Sequence, residues 1–260
     1  MLKQKKYITR FRYFVLPAML LLAFSCNTKK PYIAKIEGKQ IGITKDIPQN
    51  VAVESYIRPY RENINRDMDE VLAFAPETLD KSKGEWQTGL GSLQADITLK
   101  AASKILMARE KKKADICILN HGGIRSIIAK GNVTARTAFE LMPFENSLVV
   151  AALKGGQVIE MAEYIIKEKK PHPLSGMEII LDRGQKTYKA ISVQGKPVDP
   201  DATYYVATND YLCNGGDNMN FFKKRTAFFD LDYKLRNIWI DYFKEADTVS
   251  APLNQRIIVQ

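Results

Sequence analysis

The sequence predicts an α+β fold: a single domain in which a central mixed sheet is flanked by helices. Three observations carry this. Two long segments, Val51–Val71 and Thr88–Lys113, repeat apolar residues at steps of three and four, the period of one helix face. Short apolar runs bounded by turn-forming residues, among them Ala114–Leu119, Ser147–Leu153 and Tyr204–Thr208, read as buried strands. Helical and extended segments follow one another without strict alternation, and no linker divides residues 31–260.

Taken in order, Ile33–Thr44 reads as a strand pair with Gly38-Lys39 as its turn. Pro48 breaks the chain, and Asn50 can cap the first helix. That helix carries its apolar stripe on Val53, Ile57, Tyr60, Ile64, Met68 and Val71, with Pro59 a point for a kink. Val71–Ala75 is a short strand closed by Pro76. The second helix has its stripe on Leu93, Ile97, Ala101, Ile105 and Ala108. It ends in Glu110-Lys111-Lys112-Lys113, cations where the helix dipole favours them. Thr134 can cap a short helix that runs through Leu141 and is stopped by Pro143. Gly155-Gly156 opens a helix to about Lys169, and Pro171-His172-Pro173 is a rigid loop. Met177–Leu181 and Ala190–Val193 are strands, with Gly195-Lys196 as a turn. Leu231–Ala246 reads as a helix and Arg256–Val259 as a last strand.

Composition is that of an ordinary globular chain, with 45% hydrophobic and 26% charged residues among 260. The formal charge of +10 is concentrated at one end: residues 1–25 hold Lys3, Lys5, Lys6, Arg10 and Arg12 and no acid. The remaining +5 is too weak a charge to argue for nucleic acid, though it would help attract an anionic small molecule. The basic stretch precedes an apolar run from Tyr13 to Phe24, too short for a transmembrane helix and of the length of a signal-peptide core. Ala23-Phe24-Ser25-Cys26 resembles the processing site of bacterial lipoproteins. That resemblance implies cleavage before Cys26, a lipid on its thiol and a lipid-anchored place in the bacterial cell envelope. The expected organisation is a leader at 1–25, a lipidated tether with the strand pair at 26–45, and the domain at 46–260. Cys117 sits in an apolar run and reads as a small hydrophobe; it and Cys213 are expected to be unpaired.

Three segments carry chemistry. Asn120-His121-Gly122-Gly123-Ile124-Arg125 follows a buried strand. Its glycines let backbone N–H groups approach a ligand, and Arg125 can fork onto phosphate or carboxylate oxygens; the same residues also suit a tight turn with an exposed Arg. Pro143-Phe144-Glu145-Asn146 places an aromatic at a loop edge, either as core or as a stacking plate. Tyr211-Leu212-Cys213-Asn214-Gly215-Gly216-Asp217 places an aromatic, two glycines and a carboxylate on one loop. The carboxylate suits a ribose diol, since it can accept two hydroxyl hydrogen bonds, and it also suits the closing of a turn.

In this order and spacing, the three segments resemble the C-terminal domain of the 5'-nucleotidase family over roughly Val51 to the C-terminus. The resemblance implies that Phe144 and Tyr211 sandwich a nucleobase, with Asn146 beside it. It puts Asp217 on the ribose hydroxyls, and Asn120, Gly123 and Arg125 on the loop that faces the phosphate. Two departures stand out. Gly84 falls where the family usually has an Arg, with Lys83 adjacent as a stand-in, and Tyr211 replaces the commoner Phe.

Full-length members of the family begin with a domain that holds two metals. This chain has only His121 and His172, and no Asp-x-His, Gly-Asp-x-x-Asp or Gly-His-x-His segment. The expectation is therefore no catalytic residue and no cofactor or metal on this chain. A separate metallophosphatase chain would supply the metal pair and the cleavage of nucleotide phosphomonoesters. Two other readings use the same residues: a stand-alone lipoprotein that captures nucleosides or nucleotides, and a scaffold that binds neither.

Overall fold

The computed structural model describes Val15 and residues 32–33, 35–252 and 254–260. The expected cleavage site, Cys26 and the tether Asn27–Pro31 lie outside the described residues. The chain divides into two units, Met1–Val51 and Ala52–Gln260. In the first unit, the strand pair expected over Ile33–Thr44 is not formed: the described residues there are exposed and without regular secondary structure, with a turn at Lys45-Asp46. A two-stranded hairpin is marginal on its own, and no buried residue anchors this one.

The second unit holds the elements, with mixed sheets and flanking helices as the α+β reading expects. Helix α1 (Val51–Met68) leads into β1 (Val71–Ala75), α2 (Gly89–Glu110) and β2 (Ile116–Ile118). β3 (Gly131–Thr134), α3 (Ala135–Leu141), β4 (Ser147–Lys154) and α4 (Gly155–Glu168) follow. Next come β5 (Leu174–Ser175), β6 (Met177–Leu181), β7 (Tyr188–Val193), β8 (Lys196–Pro197) and β9 (Thr203–Asn209). α5 (Asp210–Cys213), β10 (Ala227–Lys234), α6 (Leu235–Glu245) and β11 (Ile257–Val259) complete the chain. The strands form three sheets rather than one: β1-β3, β10-β4-β9-β2-β5 and β11-β6-β7-β8.

The five-stranded sheet is the centre. β4 is buried from Leu148 to Leu153, at residues of both parities, so both faces of the sheet are covered; α2 and α4 each pack on it. Thr88 starts α2 by accepting from the Gly91 N–H at 3.0 Å, and Lys111, in the left-handed region at φ 57°, ends it. The expected stripe of α2 faces the core at Leu93, Ile97, Ala101 and Ile105 but not at the exposed Ala108, and the adjacent row Leu90, Gln94, Thr98, Ala102 and Leu106 is buried beside it. Its first two turns are buried nearly all round, so periodicity alone did not single out the face. In α1 none of the described residues is buried, and Tyr60 and Ile64 are exposed, so its expected apolar stripe is not a core face.

Two boundaries differ from expectation. The residues read as the start of the last helix, from Leu231, belong instead to β10, an edge strand paired antiparallel with β4 through Ala227↔Ala152 and Phe229↔Val150. The turn between β7 and β8 is Gln194-Gly195, both at positive φ, the geometry of a two-residue hairpin. Cys117 and Cys213 are buried free thiols, as expected, and burial pushes both thiol pKa values up.

Two buried polar groups pin the frame. Arg256, 5% exposed, donates Nη2 to Asp96 Oδ2 at 2.6 Å and Nη1 to the carbonyls of Ser92 and Leu174, tying the chain end to α2 and β5. His172, expected as a loop residue, is 4% exposed, and its Nδ1 accepts from the His121 N–H at 3.3 Å. Burial, then the neighbouring His121 and Lys170, pulls its pKa down from 6.5 to about 4.

Two outcomes follow. Arg256→Met strands Asp96 and two carbonyls and should lower unfolding free energy by about 3 kcal/mol in urea titrations. His172 is neutral when folded, so its contribution is present above about pH 6.5 and is lost as pH falls towards 4. Relative to His172→Gln, the native protein should lose about 3 kcal/mol across that window. Parallel stability curves for the two proteins would refute this.

Candidate functional site

The site is built at one end of the central sheet. β2 and β9 run parallel, with Ile116 opposite Val206 and Cys117 opposite Ala207, so both end at the same edge. β4 is antiparallel to β9, with Leu148 opposite Asn209, so it begins at that edge. The Asn120–Arg125, Pro143–Asn146 and Tyr211–Asp217 segments are the loops that enter or leave these strand ends. The Ser147 N–H donates to Asp210 Oδ1 at 3.2 Å and fastens the second loop to the third.

In the first loop, Asn120 precedes a single 3-10 turn, His121–Gly123. Its Nδ2 crosses to Asp217 Oδ2 at 2.7 Å. Gly123 is buried, and a Cβ there would lie 2.8 Å from Asn120 Oδ1, so the glycine keeps that side chain in place. Arg125 is exposed; its Nη1 reaches the Gly122 carbonyl at 3.4 Å, and its guanidinium lies 5.8 Å from the Phe144 ring centroid.

Lys81 is a member of this loop that no motif announced. Half-buried, it donates Nζ to the carbonyls of Ile124 and, at 3.4 Å, of His121, from 40 residues upstream of the latter. Desolvation first, and then Arg125, lowers its pKa. Among the described residues, neither Lys81 nor Arg125 forms an ion pair with a carboxylate. Gly84 cannot take the Arg that spacing assigned to it: it sits at φ 136°, and a Cβ would come 1.9 Å from the Gln87 carbonyl oxygen. Lys83, the expected stand-in, is exposed, and the cation at the loop is Lys81.

The second loop is held by the start of α6. Arg236, nearly buried, pairs with Glu145 and holds its carboxyl below the usual range. Lys234 Nζ donates to the Glu145 carbonyl at 2.8 Å, and the Leu235 N–H to the Asn146 carbonyl at 3.1 Å. Asn146 is half-buried. Phe144 is 43% exposed and therefore not core.

The third loop is fixed in an uncommon backbone. Asn209 Oδ1 accepts from the Leu212 N–H at 2.7 Å and starts α5. Gly215, Asp217 and Asn218 all have positive φ, at 92°, 49° and 61°. Tyr211, 48% exposed, lies against Gly216, where a Cβ would meet ring carbons at 2.5 Å. Its hydroxyl donates to Asp217 Oδ1 at 2.8 Å and accepts from the Asp217 N–H at 3.2 Å. The Tyr164 hydroxyl donates to the Asp217 carbonyl at 2.8 Å.

The structure thus joins Asn120, Tyr211 and Asp217 directly and sets Arg125 beside Phe144. The arrangement presents two exposed aromatic rings, one fixed carboxylate and two cations without an acidic partner. Among the described residues, no three His, Cys, Asp or Glu side chains are grouped to hold a metal ion, and His172 Nδ1 is already engaged. These residues do not fit a metal pair.

A family model described as "5'-nucleotidase, C-terminal domain" matches residues 71–224, which include Lys81 and all three loops. The protein UshA of Yersinia enterocolitica is 28% identical over 200 residues, covering 74% of this chain and 34% of that protein. The trifunctional nucleotide phosphoesterase protein YfkN of Bacillus subtilis is 25% identical over 235 residues, covering 81% of this chain and 15% of that protein. The crystal structure of a 5'-nucleotidase precursor from Thermus thermophilus superposes with a TM-score of 0.66 at 26% identity, covering 82% of this chain and 44% of that one. The chain therefore spans less than half the length of these relatives, and it belongs to the 5'-nucleotidase C-terminal domain family.

Proposed function

We propose that this chain is the nucleotide-recognition part of a 5'-nucleotidase system. The observation that carries the reading is Asp217: a carboxylate oriented by Asn120 and Tyr211, set among exposed aromatics and cations that lack acidic partners. In this reading the base stacks on Phe144 and Tyr211 with Asn146 at its edge, and the ribose hydroxyls donate to Asp217. The phosphate faces Arg125 and Lys81, beside the backbone of Asn120–Gly123. Lys81 lies close enough to Arg125 that, after desolvation, the guanidinium lowers its pKa, and an anion between the two cations would offset that repulsion.

Cleavage of the phosphomonoester is assigned to a separate metallophosphatase chain, because the side chains here do not fit a metal pair. A metal pair on that chain would polarise the phosphoryl oxygens and activate water. The role left to this chain is to hold base, ribose and phosphate in a fixed orientation. Export and lipid attachment at Cys26 belong to the same proposal and rest on the leader and its processing site. Among the described residues, no helix is long and apolar enough to cross a membrane.

Calorimetric titration of the full chain with AMP and with adenosine, alongside a phosphate-release assay, tests the proposal. Binding without turnover is expected; turnover by this chain alone would overturn the assignment of chemistry to a partner. Arg125→Ala and Lys81→Met should each weaken AMP by roughly tenfold or more, as loss of a charge-assisted hydrogen bond does, and leave adenosine within about twofold. Equal losses for both ligands would place these cations away from the phosphate. Phe144→Ala and Tyr211→Ala should each weaken both ligands by about 1–3 kcal/mol, the range of base–aromatic stacking, with little change in melting temperature.

A further inference from the structure

We infer that the hydroxyl of Tyr211 is a positioning group that makes the site select a vicinal ribose diol over a single hydroxyl. The inference rests on the nucleotide-binding reading of the site and adds to it the origin of sugar selectivity.

Asp217 is held in the left-handed region at φ 49°, and Asn218 after it at φ 61°. Consecutive non-glycine residues there persist only when their surroundings hold them. Four hydrogen bonds do so. The Tyr211 hydroxyl takes the Asp217 N–H at 3.2 Å and donates to Oδ1 at 2.8 Å. Asn120 Nδ2 donates to Oδ2 at 2.7 Å, and Tyr164 donates to the backbone carbonyl at 2.8 Å. Each polar group of Asp217 therefore has one partner within the protein.

A carboxylate oxygen has room for two donors. With Tyr211 on Oδ1 and Asn120 on Oδ2, one acceptor position remains on each oxygen. Two free positions on one rigid carboxylate match the two donors of a cis-diol. A 2′-deoxyribose offers one donor and leaves the second position empty.

The hydroxyl cannot act unless its ring is fixed. Gly216 makes room for it, since a Cβ there would overlap Tyr211 Cε1 and Cζ at 2.5 Å, and the two hydrogen bonds to Asp217 then hold it. A phenylalanine at this position would keep the stacking face. It would remove the donor to Oδ1, orphan the Asp217 N–H and leave only Asn120 to orient the carboxylate.

The test is calorimetry on the full chain with adenosine and 2′-deoxyadenosine, for the native protein, Tyr211→Phe and Gly216→Ala. The native protein should bind adenosine about tenfold tighter than 2′-deoxyadenosine, the effect of one hydrogen bond to a charged group. Tyr211→Phe, which keeps the stacking ring, should weaken adenosine several-fold more than 2′-deoxyadenosine, so that the ratio between the two ligands falls towards one. Gly216→Ala, which displaces the ring, should lower the same ratio and serves if Tyr211→Phe proves poorly folded by thermal denaturation. A native ratio near one, a ratio unchanged in Tyr211→Phe, or an equal loss of both ligands in that variant would overturn the inference while leaving nucleotide binding intact. No binding of adenosine by the native protein would overturn the nucleotide reading and this inference with it.

Discussion

The parallel pairing of β2 with β9 is the constraint on which the rest of the site depends. Parallel strands end at the same edge, so the loop after Ile118 and the loop after Asn209 leave the sheet side by side. Antiparallel β4, on the other flank of β9, brings the Phe144 loop to that edge as well. A slip of one residue between β2 and β9 would turn every side chain of the shifted strand to the opposite face and part Asn120 from Asp217, and a slip of β4 would displace the Phe144 loop instead. β4 is buried on both faces, so a slip would force apolar side chains to repack on each side of the sheet.

Within that frame, the functional groups are held by polar contacts rather than by apolar packing. Asp217 sits in a backbone conformation that its own chain does not favour, and hydrogen bonds from Asn120, Tyr211 and Tyr164 hold it there. Lys81 and Arg125 stand near each other, and desolvation first, then the guanidinium, lowers the Lys81 pKa. Uncommon backbone and neighbouring cations thus meet at one edge of the sheet, the combination that the proposed ligand site draws on.

Much of the fold was legible because its signals are local. Thr88 and Thr134 stand immediately before helices, Gly155 opens another, and the apolar runs of β2, β4 and β9 lie where the pattern put them. Other elements were misread. The stripe of α2 was read too narrowly, because the helix is buried nearly all round at its start and a second row packs beside the expected one. Leu231 was assigned to a helix although Phe229–Lys234 alternates apolar and polar residues, the period of a strand, and the exposed alternate positions of β10 follow it. The N-terminal strand pair had the right turn residues but nothing buried to anchor it.

For this protein, the sequence by itself determined the family and the order of the three loops, since glycine turns, caps and apolar periods are properties of neighbouring residues. It also named Phe144 and Tyr211, and their exposure in the folded chain places neither in the core. Only the tertiary structure decided that Lys81 rather than Lys83 joins Arg125, that His172 is buried, and that Tyr211 and Asn120 share one carboxylate. The reason is that Asn120 and Asp217 are 97 positions apart, and partners so distant are chosen by strand pairing, which no local pattern encodes.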